Sequence, residues 1–347
     1  MEKPSLDKAK TGAIRFNTDT SQMEVYDGNQ WTGILATSPA QETGGTRAVL
    51  AGGKLDHPNK QNIIQFVNMD STGNAEDFGD LVMGASAGFF TASSRTRGIF
   101  AGSYSTPAQE GTNSIEFVTI ASQGDSIDFG SDMTTKHRSG HSASSSTRGI
   151  FAGGFDNSDR TNHIDFMTIA STGTNANDFG DLIQKGMNGG GNQVQSPTRG
   201  VFGGGDTPGA KVNLIQYVTM TTLGNSSDFG DLNELRGSVA AASNAVTGIY
   251  GGGGSPTTLQ SIDKITLASL GNATDYGDLL AATSSFGAGA SPTRIIFAGG
   301  YSPAGPSKID VIQYKQFTSS GDTVDFGDLL GACAVPHPVT NGHGGLG

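Results

Sequence analysis

Residues 138–182 read RSGHSASSSTRGIFAGGFDNSDRTNHIDFMTIASTGTNANDFGDL. Four short apolar runs stand in this stretch (HSAS, GIFAGG, HIDFMTIA and NDFGDL), separated by Ser, Thr, Asn, Asp and Gly. Runs this short, rich in β-branched and aromatic residues and bounded by turn formers, read as strands. The unit recurs. DFGDL begins at Asp77, Asp178, Asp228 and Asp325, with the variants DFGSD at Asp128 and DYGDL at Asp275. The successive offsets from Asp77 are 51, 50, 50, 47 and 50 residues. A second marker, Thr-Arg leading into an apolar run and a glycine pair, is read at Thr46, Thr96, Thr147, Thr198, Thr247 and Thr293. Two independent markers at one period define six copies of a four-stranded unit.

Composition agrees with an all-β chain. Glycine supplies 53 of 347 residues without a Gly-X-Y period and proline only 12, which excludes collagen. The formal charge of −11 and the lack of a basic run speak against nucleic acid as a partner. No window approaches the length of an apolar membrane span, and MEKPSLDKAKTG at the start has no signal-peptide core, so neither membrane insertion nor secretion is expected. Cys333 is the single cysteine and reads as a small core residue.

A four-stranded unit of about 50 residues is the spacing of kelch repeats. The chain resembles that family in the glycine pairs Gly52-Gly53, Gly153-Gly154, Gly204-Gly205 and Gly299-Gly300, and in the Arg-x-Gly-His string Arg138 to His141. It departs from the family in lacking the fourth-strand tryptophan, whose place an aromatic such as Phe179 is expected to take. The resemblance implies a six-bladed β-propeller over residues 42–347. No good first strand precedes Thr46, whereas GACAVPHPVTNG (331–342) aligns with the first strand of the other repeats. The C-terminal strand is therefore expected to complete blade one, which leaves no open sheet edge.

Residues 12–31, GAIRFNTDTSQMEVYDGNQW, alternate in polarity around two turn signals and predict a small β-meander within residues 1–41. Three short strands bury too little to stand alone, so Phe16, Tyr26 and Trp31 are expected to pack on the propeller, on another copy of the chain or on a larger particle. The segment resembles a β-meander of structural proteins of tailed bacteriophages, where G-x-I-R-[YF]-N-[TS]-D-T strings precede variable distal domains. That resemblance implies a virion location in the tail or fibre, contacts with other virion proteins through this module, and a homo-oligomer, taken as a trimer from fibre analogy.

No sequence feature calls for a catalytic centre, a cofactor or a metal. The glycine clusters precede no helix and no phosphate-loop string is present. The repeated arginines Arg47, Arg97, Arg148, Arg199 and Arg294 and the acids Asp80, Asp181, Asp231, Asp278 and Asp328 are expected to pair structurally, with repeated cation sites as the alternative. Turns such as STGNA, SQGDS, STGTN and LGNSS are nearly uniform. The loops between second and third strands (KLDHPNKQN, SYSTPAQEGTN, FDNSDRTN, DTPGAKVN, SPTTLQ, YSPAGPS) vary, and variation on a constant frame suits a binding face. Tyr104, Phe155, Asp156, Asn157, Arg160 and Tyr301 are the candidate contacts for a host-surface glycan or protein. A capsid or tail decoration without receptor role is the structural alternative, and a glycan-cleaving propeller the enzymatic one.

Overall fold

A computed structural model describes residues 10–17, 22–33, 45–55, 60–84, 86–105, 110–186, 192–254, 256–304 and 307–346. The chain divides into two compact units, Met1–Thr43 and Gly44–Gly347. It is an all-β protein whose only described helical element is a 3-10 turn at Gly344–Leu346.

The first unit is a three-stranded antiparallel meander of Ile14–Asn17, Gln22–Tyr26 and Trp31–Gly33. Asp27 shapes its second turn by accepting hydrogen bonds from the Asn29 and Gln30 amides, both at 2.8 Å, and these hold its carboxyl below the usual carboxylate range. The register separates two faces, since side chains alternate along a strand. Tyr26 and Trp31 pack on each other, with ring centroids 5.5 Å apart. The Arg15 guanidinium lies over Trp31 and pairs with Glu24. The exposed large apolar residues described in this unit are Ile14 and Met23, whereas Tyr26 is buried. Phe16 is paired with Met23 in the register, but its side chain lies outside the described residues.

The second unit repeats one motif of four consecutive antiparallel strands. Repeat three consists of His141–Ser144, Arg148–Ala152, His163–Thr168 and Asn177–Asp181. Repeat one begins with Arg47–Ala51 and takes its first strand from the far end of the chain, where His337–Thr340 pairs antiparallel with it. The six first strands lie innermost and side by side, in the order repeat two through six, then one, then two again. Parallel bridges join those of repeats three, four and five, while the hydrogen-bonded ladders do not close into a barrel. The inner strands HSAS, AAAS and GAGA are buried throughout and are made mostly of small residues, which suits the crowding of six strands.

Between consecutive repeats lie six apolar cores. One core joins Phe90, Ile99 and Phe129 of repeat two to Phe151 and Met167 of repeat three. Another joins Leu50 and Val67 of repeat one to Ile296, Phe326 and the buried Cys333 of repeat six, where burial pushes the thiol up to about 12. Phe179, the aromatic of one DFGDL string, is buried between repeats three and four, edge-on to Phe166.

Two polar latches cross each joint, and both explain sequence markers. At the outer edge, the DFGD strand bonds to the turn of the next repeat. The Gly224 amide donates to the Phe179 carbonyl (2.9 Å), the Ser226 amide to the Asp181 carbonyl (2.8 Å), and the Asp181 amide to Asn225 Oδ1 (3.0 Å). The same set joins repeat six to repeat one through Gly73, Ala75, Asn74 and Asp328. The DFGD glycine has left-handed φ (146° at Gly230, 148° at Gly327), and a Cβ there would collide with a carbonyl of the adjoining turn.

The second latch corrects the expected Arg-Asp pairing. Each repeat arginine stacks on a third-strand aromatic and donates to a carbonyl of the next repeat: Arg47 to Ile120, Arg97 to Ile169, Arg148 to Met220, Arg199 to Leu267 and Arg294 to Met69, at 2.7–3.0 Å. Among the described residues, none of them pairs with Asp80, Asp181, Asp231, Asp278 or Asp328. Strand register is the reason. Arg148 lies opposite Thr168 and Asp181 opposite His163, at opposite ends of the third strand, about 17 Å apart.

Repeat five lacks this arginine. Thr247 occupies the arginine's place, with Val246 in that of the threonine, so the second marker shifts there by one residue. The carbonyl left over, that of Phe317, accepts a hydrogen bond at 2.7 Å from the Tyr276 hydroxyl, the one tyrosine in the DFGDL series. Tyr276→Phe is therefore expected to cost about 1 kcal/mol in urea unfolding, and adding Thr247→Arg to restore most of it. Unchanged stability in Tyr276→Phe would contradict this substitution of one donor for another.

Candidate functional site

Each described repeat other than the fourth places an antiparallel bridge where the chain enters its inner strand: Lys54 with Ala334, Tyr104 with Ala87, Phe155 with Arg138, Gly254 with Gly237 and Tyr301 with Ser284. The next residue is left-handed in each, with φ of 75° at Gly88, 56° at Ser139, 54° at Ser238, 53° at Ser285 and 57° at Val335. Amides connect these residues from repeat to repeat, as Ser139 to Gly88 (2.8 Å), Ser285 to Ser238 (3.0 Å) and Val335 to Ser285 (2.7 Å). A β-branched residue in this conformation is strained, and Val335 holds it because the collar around it is fixed.

Inside the collar is a cavity of about 290 Å³ lined by Lys54, Tyr104, Arg138, Ser139, Tyr301 and Val335, among others. A second cavity, of about 370 Å³, shares Tyr301 and adds Thr258, Ser302, Pro303 and Ser307. No described aspartate or glutamate lines either one, although the chain carries a formal charge of −11. Arg138 lies between Tyr104 and Phe155, its guanidinium carbon 4.1 Å and 4.8 Å from their ring centroids. Lys60 Nζ is 3.8 Å from the centre of Tyr104. Burial, then Lys54, then Arg138 bring the Lys60 amine down to about 8.

No protein-family model matches the chain, and no curated protein matches it. The reading of the site rests on its own chemistry.

Three of the six expected contact residues meet at this mouth and three are engaged elsewhere. Tyr104 and Tyr301 line the cavity, and Phe155 backs Arg138. Asp156 instead accepts from the Asp159 and Ser158 amides and the Ser158 hydroxyl in a tight turn, which holds its carboxyl low. Asn157 Oδ1 takes the Gly111 amide of repeat two at 2.6 Å, and Arg160 Nε donates to the Asp206 carbonyl of repeat four. They fasten loops across joints. Sequence reasoning missed Lys54 and Arg138. Lys54 stands one residue after a glycine pair, like Phe155 and Tyr301, and that shared offset is the signal that would have found it.

Two other ionisable clusters lie inside repeats three and five. Buried Asp165 accepts the Thr134 hydroxyl (2.6 Å) and His163 Nε2 (3.0 Å), and Arg236 meets buried Asp263 at 3.3 Å in repeat five. The hydrogen bond to Asp165 raises the His163 pKa, and three hydrogen bonds outweigh burial to hold the Asp165 carboxyl well below the usual range. Among the described residues, no group of three or more His, Cys, Asp or Glu is arranged to hold a metal ion.

Three histidines are fully buried and uncharged: burial lowers His141 and His343 to about 4 and His337 to about 3. His337 Nε2 accepts the Gly88 amide at 3.0 Å, so a proton there would face another donor. A folded-state pKa below the unfolded one gives stability that is complete above the unfolded value near 6.5 and lost as pH falls through the folded values. Melting temperature is expected to hold steady from pH 8 to 7 and fall between 6.5 and 4. His337→Gln, which keeps an acceptor for Gly88 and cannot titrate there, should fall less steeply. Parallel profiles for the two proteins would contradict this origin of acid sensitivity.

Proposed function

We infer that the six repeats are the blades of a kelch-like six-bladed propeller. The chain itself we take to be a non-enzymatic structural protein of a tailed-bacteriophage virion, of tail or fibre type. The cyclic order of the inner strands and the equivalence of the joint between repeats six and one to the others support the propeller. The resemblance of residues 12–31 to phage meanders supports the virion, and exposed Ile14 and Met23 offer the first unit an apolar face for another virion protein.

The collar mouth is the surface through which the propeller contacts host-surface glycan or protein. One observation carries this role: segments unlike in length and sequence bring Tyr104, Arg138, Tyr301 and Lys54 to one cavity on an otherwise repetitive frame. Purified full-length chain is expected to bind host cells saturably and to slow adsorption of the phage, and antibody against it to label the tail in electron micrographs. Tail or head labelling without cell binding would sink the adhesion role and favour a decoration protein.

A further inference from the structure

We propose that the collar cavity binds a carboxylate-bearing sugar residue of a surface polysaccharide, with Arg138 as the carboxylate's partner and Tyr301 as a stacking wall. This rests on the reading of the mouth as a binding face.

The five latch arginines provide an internal comparison. Each stacks on an aromatic ring and satisfies its guanidinium by donating to a main-chain carbonyl of the next repeat. Arg138 is stacked in the same way, on two rings, yet none of its side-chain nitrogens donates to an acceptor among the described residues, and its Nε is buried. A half-buried guanidinium with unused donors is costly unless something else supplies the acceptor. With Nε buried, the two terminal nitrogens form the fork that matches a carboxylate in two parallel hydrogen bonds. Lys54 stands on the same cavity wall, and no described carboxylate competes for the ligand's place.

The cavity's other walls decide what carries the anion. Tyr104 is already covered by Arg138 and Lys60, whereas Tyr301 suits the apolar face of a pyranose ring, and about 290 Å³ suits one such residue. A carboxylate on a ring carbon lies close to the ring, so one pose satisfies both fork and stacking. A phosphate ester stands off by an extra oxygen and does not.

The test is titration calorimetry of the full chain with a uronic-acid disaccharide, its carboxyl-reduced counterpart and a sugar phosphate. The acidic disaccharide should bind, and the reduced one at least about tenfold more weakly. Arg138→Gln with an unchanged melting temperature should lose a similar factor. Lys54→Gln, which removes no stacked group, should weaken binding less and keeps the test open if Arg138→Gln does not fold. Equal binding of the reduced sugar, preference for the phosphate, or full affinity in folded Arg138→Gln overturns the proposal. Cell binding indifferent to these sugars leaves adhesion standing and removes this ligand, whereas loss of cell binding altogether removes both.

Discussion

The bond between a DFGD strand and the turn of the following repeat is what the rest of the second unit depends on. A four-stranded sheet ends in an edge with unpaired amides and carbonyls. Here the Phe179 and Asp181 carbonyls and the Asp181 amide all find partners in residues 224–226. That approach is close enough to demand glycine in the strand. It brings the third-strand aromatics of one repeat within reach of the next, and it sets the distance over which Arg148 spans to the Met220 carbonyl. Cores and latches are consequences of one spacing, repeated.

The centre obeys a complementary constraint. Six inner strands converge, three of them made mostly of small residues, and residues 343–346 pack against them. His343 bonds to the Ser93 carbonyl, and a Cβ at Gly345 would collide with that of Ser144. The strand His337–Thr340 thus serves twice, completing repeat one and delivering this tight turn against the inner strands of repeats two and three. Tyr276 stands in for the absent arginine of repeat five, and His137 and Arg236 accompany the buried acids Asp165 and Asp263. At the mouth, the Arg138 guanidinium meets no acceptor among the described residues, and that is where chemistry other than folding has room.

Much of this was readable from periodicity. The six units, their four strands and the pairing of residues 337–340 with the first repeat follow from where DFGDL and Thr-Arg recur. The destination of the arginines was not, because a guanidinium's partner here is a main-chain carbonyl about 70 residues away, and backbone acceptors leave no mark in a sequence. The same blindness affected the site. Tyr104, Phe155 and Tyr301 stood out as aromatics in variable loops. Asp156, Asn157 and Arg160 looked equally available but are spent on turns and joints. Arg138 was hidden in a string that resembled a repeat signature.

The central claim is that the joint between repeats six and one is equivalent to the others despite bringing together the two ends of the unit. Native-state hydrogen exchange tests it most directly, by comparing the Gly73 and Ala75 amides at that joint with Gly224 and Ser226 at an internal one. The account predicts protection that agrees within about tenfold between the two pairs. Exchange of Gly73 and Ala75 at the rate of an open turn, while Gly224 and Ser226 stay protected, would contradict it.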